Sequence, residues 1–245
     1  MDDRTKEILQ KIEEAEYVLV GLGQEFDMEN LLEANPEYGK VREQLQKNNA
    51  LWLLPYVEEQ LREQQLPKIE EEIRQGLNNL ASVLEKKSYF VVSSSTSPIP
   101  TQIPWKKMLL KKERYVSPCG DFRKKQCPDG CEEEITEVTE TDRENLQHCY
   151  EELRAGKFLS PNLGKCPKCG KNMILNNVYA AKYDEKGYLE NWTTYQTWLQ
   201  NTLNHKMVLL EIGEGNRFPS IIKNPFQRIA SVSYTHLRAH ETDQY

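Results

Sequence analysis

The cysteines constrain this chain more than any other residue type. All six lie between Cys119 and Cys169, and four of them form two short pairs, Cys127-Pro-Asp-Gly-Cys131 and Cys166-Pro-Lys-Cys169. Each pair sets two thiols on a tight turn containing proline or glycine, the shape of a knuckle that offers two sulfurs to one tetrahedral zinc. The competing readings are scattered buried thiols or a redox pair. Lys, Asp, Gly and Pro surround both pairs, which leaves little apolar sequence in which to bury a thiol. The spacing therefore predicts a structural zinc held by Cys127, Cys131, Cys166 and Cys169. Between the pairs there is room for an insert. Ile135 and Val138 alternate weakly, and Thr141-Asp142-Arg143-Glu144 reads as a capping box opening a helix. On that helix Leu146, Cys149, Tyr150 and Leu153 share a face, which makes Cys149 a core residue.

Elsewhere helices alternate with short apolar runs. Thr5 to Glu16 reads as an amphipathic helix with Ile8, Leu9 and Ile12 on one side; residues 27–65 read as helical and irregular, with Trp52, Leu53, Leu54 and Tyr56 in the core. From Pro67, the residues Ile69, Ile73, Leu77, Leu80 and Leu84 step along one helix face, and Asn191 to Leu203 forms another helix with Trp192, Tyr195, Leu199 and Leu203 aligned. The segment 98–114, with Pro98, Pro100 and Pro104, reads as a solvated linker. Three apolar runs read as buried strands. Tyr17–Val20 leads into Gly21-Leu22-Gly23, Ser88–Val92 into the hydroxyl run Ser93-Ser94-Ser95-Thr96-Ser97, and Met207–Ile212 into Gly213-Glu214-Gly215.

Strands that follow helices predict an α/β fold: a Rossmann-like parallel sheet with a small inserted four-cysteine zinc-binding module. The expected boundaries are a discontinuous domain over 1–114 and 177–230 and a module over 115–176. Ligands of such sheets bind beyond the carboxyl ends of the strands. Gly21, Leu22, Gly23, Ser95, Gly213 and Gly215 stand at those ends and are candidate cofactor-binding residues. Glycines let backbone amides approach a pyrophosphate, although structural tight turns use the same pair.

The formal charge of −6 and the absence of a basic stripe argue against nucleic acid as the main partner. No apolar run reaches membrane-spanning length and no signal peptide precedes the first helix, so no membrane is expected. Unpaired thiols grouped for a metal fit a reducing, cytoplasmic location. The stretch Val232 to Thr242 reads as the translation of a transposase sequencing adapter, so residues 231–245 are expected to be non-native, and His236 and His240 enter no functional reading.

Taken in order, these features resemble the sirtuins, the NAD-dependent protein deacylases, over most of residues 15–230. The stretches that carry the resemblance are Val20-Gly-Leu-Gly-Gln-Glu25, Val92-Ser-Ser-Ser-Thr-Ser97, Pro118-Cys-Gly120, the two cysteine pairs and Ile212-Gly-Glu-Gly215. The resemblance implies a structural zinc on the four paired cysteines, NAD as cofactor and an acylated protein or peptide as partner. It also places Cys119 where the family has its catalytic histidine, and Ser95 and Ser97 where the family has asparagine and aspartate. Cys119 is thus the catalytic candidate, with a spare zinc ligand as its other reading. A thiol is a different base from imidazole in geometry and strength, and Leu22 and Glu25 depart from the family's phosphate loop. His148 and His205 assemble no catalytic constellation with a nucleophile. The resemblance implies NAD-dependent protein-lysine deacylation; the altered residues leave a catalytically inactive NAD- or ADP-ribose-binding or protein-interaction scaffold, or an ADP-ribosyl transferase, as alternatives.

Overall fold

In the run Tyr17–Leu22, five consecutive residues are buried, so neither face of the strand meets water. A strand of that kind has to be central in a sheet covered on both sides. In the computed structural model, which describes residues 3–103, 105, 114–131 and 135–232, this is where it lies. The chain runs α1 (Asp3–Glu14), β1 (Tyr17–Leu22), α2 (Glu29–Glu33), α3 (Pro36–Lys47), α4 (Leu54–Gln65), α5 (Pro67–Leu84), β2 (Ser88–Ser93), β3 (Tyr115–Val116), β4 (Gly120–Gln126), β5 (Thr136–Glu137), α6 (Glu140–Arg154), β6 (Ile174–Asn177), α7 (Lys186–Gln200), β7 (Met207–Ile212) and α8 (Lys223–Val232).

A four-stranded parallel sheet takes the order β3-β2-β1-β7. Tyr17 is level with Ser88 on one side and Met207 on the other, so the three glycine- or serine-ended strands finish together. The connections from β1 first move outward to β2 and β3, and the chain then returns to β7 on the opposite side of β1. That reversal is a topological switch point, and it opens at the carboxyl ends of β1 and β7. Val18, Leu19, Val20 and Leu22 have no exposed surface; each contributes roughly 1.5–3 kcal/mol of burial to the sheet. α5 covers one face through Leu77 and Leu84, while Trp198 of α7 and Phe226 of α8 cover the other.

A second, antiparallel sheet, β5-β4-β6, belongs to the cysteine-bearing module. This module shares a core with α3 and α4: Tyr38, Trp52 and Leu61 pack in one cluster with Phe122, Leu146, Cys149 and Tyr150. Asn35 caps α3 by accepting from the Glu37 amide at 2.8 Å, with Pro36 in the first turn.

Several expectations are corrected. The capping box of α6 opens on Thr139, whose hydroxyl accepts from the Asp142 amide while the Asp142 carboxylate accepts from the Thr139 amide. Thr141 therefore lies inside the first turn. α7 runs from Lys186 to Gln200, so Leu203 falls beyond its end and is 67% exposed. Residues 99–103 and Trp105 are no solvated linker: Ile99, Ile103 and Trp105 are buried, and the Trp105 indole donates to the Pro100 carbonyl at 2.6 Å. The rest of that linker, Pro104 and residues 106–113, lies outside the described residues. Tyr115 and Val116 pair with Val91 and Val92 in the parallel sheet, so the module's own sheet begins at Gly120. Of the adapter-like stretch, residues 233–245 also lie outside the described residues, while 231 and 232 end α8. Among the described residues no helix is long and apolar enough to cross a membrane.

Candidate functional site

Two centres emerge. The first is the cysteine cluster. The Cys127 turn closes with the Gly130 amide donating to the Cys127 carbonyl at 3.2 Å, and the second knuckle closes with the Gly170 amide on the Cys166 carbonyl at 2.8 Å. These turns bring the sulfurs of Cys127, Cys131, Cys166 and Cys169 within 4.8 Å of one another. The Cys127 and Cys169 sulfurs stand 3.5 Å apart, close to the ~3.8 Å expected between thiolates on a tetrahedral zinc with bonds of about 2.3 Å. Burial opposes ionisation of Cys127, yet amide donors from Cys131 and Asp129 bring its thiol down to about 7. The hydrogen bond that the Cys131 thiol donates to Cys127 in turn pushes Cys131 up to about 12. One thiolate forms readily here and a second resists it, so four thiolates require a cation among them. The donor set therefore fits a zinc ion, which would be held by these four sulfurs in a closed, structural site.

The second centre lies at the strand ends of the parallel sheet. Asp27, on the turn that follows β1, is completely buried. Its Oδ1 accepts from the Ser95 hydroxyl at 2.6 Å and from the amides of Thr96 and Ser97 at 2.9 Å each. The serine run after β2 is thus folded around one carboxylate. Burial raises the pKa of Asp27 despite the Ser95 hydrogen bond and the Arg62 charge. Glu58 of α4, also fully buried, accepts from the Tyr38 hydroxyl at 2.7 Å and is pushed up to about 7, first by burial and then by Asp27. Asp27 Oδ2, Glu58 Oε2 and Thr96 Oγ1 are buried and have no hydrogen-bond partner among the described residues. Each such atom costs about 1–3 kcal/mol when left unmet. Arg217, from the loop after β7, lies 3.9 Å from Asp27 Oδ2 and 2.8 Å from Glu29.

The expected site residues divide between these centres. Gly21 is occupied by packing: a Cβ there would lie 2.5 Å from the Ile222 side chain. Gly23 presses backbone on backbone, since a Cβ would stand 1.9 Å from the Gly213 carbonyl oxygen, and its amide donates to the Ile212 carbonyl at 2.8 Å. Leu22 has its side chain in the apolar core, and its carbonyl accepts from the Ser94 amide at 2.9 Å. Gly213 adopts a left-handed φ of 62° and Gly215 packs on the Gln24 side chain. Between them, Glu214 accepts from the Ser94 hydroxyl at 3.1 Å and is raised to about 7 by burial. Ser95 belongs to the Asp27 network. Cys119 has no exposed surface, and burial, reinforced by Asp27, raises its thiol well above the ordinary value against the opposing pull of Arg217. A neutral thiol in that setting does not serve as a base at neutral pH. Cys119 is also outside the four-sulfur cluster. His148 and His205 are exposed, and His205 contacts Glu16 at 2.8 Å.

No family model matches this chain, and no curated protein matches it. Among solved structures it is similar to a mutant Sir2 homologue in complex with ADP-ribose, at 13% identity and a TM-score of 0.46, over 91% of this chain and 81% of that one. It is also similar to a Sir2 homologue–NAD complex, at 12% identity and a TM-score of 0.42, over 92% and 79% of the two chains. A structure from work on sirtuin substrate affinity gives 14% and 0.45, over 96% and 100%. These are likenesses of fold.

Asp27, Glu58, Thr96 and Arg217 are not singled out by the sequence. A clue is present for Asp27 alone: a run of small hydroxyl residues at a strand end needs an acceptor to gather around. Arg217 and its partner Glu29 are 188 residues apart, beyond the reach of any local pattern.

Proposed function

We propose that this chain is a sirtuin-like module that binds NAD or ADP-ribose at the carboxyl ends of β1, β2 and β7, on a scaffold braced by a structural zinc. The observation that carries the reading is the set of buried, unmet acceptors, Asp27 Oδ2, Glu58 Oε2 and Thr96 Oγ1, grouped by fold topology at the switch point. Such atoms call for ligand donors, and the hydroxyls of a ribose and the amide of a nicotinamide are donors of that kind. The resemblance of the sequence motifs to sirtuins names NAD as the nucleotide. Zinc, held by the four paired cysteines, would supply folding energy to the module and no chemistry at the strand ends.

Deacylation requires a base, and the side chain at the position of the family histidine, Cys119, is a buried neutral thiol. This favours a binding module over an active deacylase or an ADP-ribosyl transferase. Calorimetric titration of NAD and ADP-ribose, run beside an assay for nicotinamide release with an acetylated peptide, tests both parts. Binding without release is expected. Release of nicotinamide that depends on the peptide would make the chain an enzyme, and absence of binding by both ligands would end the nucleotide reading.

A further inference from the structure

Two guanidinium groups serve the strand-end cluster, and only one of them reaches solvent. Arg62 has no exposed surface: it donates to the Asp27 carbonyl at 3.0 Å and to Glu59 at 2.5 Å, and its Nε, 3.9 Å from Glu70, is buried with no hydrogen bond among the described residues. Arg217 keeps 18% of its side chain exposed. Its position is fixed from several directions. The guanidinium lies 5.3 Å from the Tyr179 ring centroid and 5.5 Å from that of Phe218, and its backbone amide donates to the Gln24 side chain at 2.8 Å. Rings on a guanidinium hold its plane without consuming its N–H donors. Glu29 approaches Nη1 at 2.8 Å and accepts from Nη2 at 3.4 Å, but the Nη1 contact is off the hydrogen-bond axis, and that buried nitrogen makes no hydrogen bond among the described residues. A cation with a misaligned donor therefore sits 3.9 Å from an unmet acceptor, Asp27 Oδ2, and the Thr96 hydroxyl, also unmet, belongs to the residue whose amide donates to the same carboxylate.

The glycine loop does not supply what Arg217 offers. The amide of Gly23 is committed to the Ile212 carbonyl, and that of Glu25 to the Gly213 carbonyl at 3.1 Å. Glu25 and Glu214 also put carboxylates where a pyrophosphate would approach these glycines, which is electrostatically unfavourable. We propose that Arg217 is the anion-recognising residue of this site, and that it takes a phosphate of a ribose phosphate whose hydroxyls donate to Asp27 and Thr96. A planar fork of donors suits a phosphate, and carboxylate and hydroxyl oxygens suit a sugar hydroxyl. The assignment rests on the nucleotide reading above and specifies which residue provides the affinity.

The test is calorimetric titration of ADP-ribose into wild-type protein, Arg217→Gln and Arg217→Lys, with melting curves on all three, and competition of ADP-ribose by inorganic pyrophosphate on the wild type. Arg217→Gln is expected to bind at least about tenfold more weakly, the loss of a charge-assisted hydrogen bond, with Arg217→Lys between the two and pyrophosphate competing. Equal binding by a folded Arg217→Gln, or failure of pyrophosphate to compete, overturns the assignment to Arg217 while leaving nucleotide binding standing. Absence of ADP-ribose binding by the wild type overturns both. Should Arg217→Gln fail to fold, the lysine variant and the pyrophosphate competition decide.

Discussion

Glu58 has one oxygen on the Tyr38 hydroxyl and the other unmet, and has no exposed surface of its own. Its pKa is raised from 4.5 to about 7, so the folded state binds the proton more tightly than the unfolded state does. Stability is then greatest below the unfolded value and falls as pH rises from about 4.5 through about 7; the full shift corresponds to about 3 kcal/mol as an upper bound. Asp27 and Glu214 are raised in the same direction. Glu58→Gln keeps the acceptor for Tyr38 and removes the titration, so its melting temperature should exceed that of the wild type at pH 8 and the pH slope should flatten; an unchanged slope would show that Glu58 does not titrate in this range. At the proposed zinc site, Cys127→Ser or Cys169→Ser should lower the bound zinc and cost about 3 kcal/mol or more, a drop of roughly 6–12 °C in melting temperature. Metal content by mass spectrometry checks it. These two kinds of residue differ in legibility for a physical reason. A knuckle sets its ligands by local spacing, which the sequence displays. A buried carboxylate is defined by partners such as Tyr38 and Asp27, which reach it only through the fold.

At the level of elements, strands with buried faces announce themselves. β1, β2 and β7 are readable because apolar β-branched runs end in glycine or serine. β3 is not, because it is two residues long and is specified by its pairing to Val91 and Val92. Nor does any local pattern show that α3 and α4 pack on the cysteine module, since an apolar stripe does not say which surface it will meet. Glycines test this level sharply. Gly23→Ala forces a methyl against the Gly213 backbone, which has no flexible side chain to move aside, so a loss of more than about 3 kcal/mol is expected. Gly76, in α5, has nothing within 4 Å of the place a methyl would take; Gly76→Ala should stabilise the protein by about 0.5–1 kcal/mol through helix propensity alone. Denaturant midpoints of the two variants should therefore move in opposite directions.

In the whole molecule, the parallel sheet and the cysteine module meet where the loops after β1, β2 and β7 clasp one another. Arg217 stacks on Tyr179, just after β6, and the Ser117 hydroxyl, between β3 and β4, donates to the Ser95 carbonyl at 3.2 Å. A separate cavity of about 230 Å³ lies between β3, β4 and the start of α7, lined by Tyr115, Asp121, Arg123 and Tyr188 among others. The two places offer competing homes for a small ligand, and hydrogen exchange with and without ADP-ribose separates them. The account predicts that saturating ADP-ribose slows exchange in residues 23–28, 93–97 and 213–218. Protection confined to residues 115–124 and 183–191, or none anywhere, would contradict it.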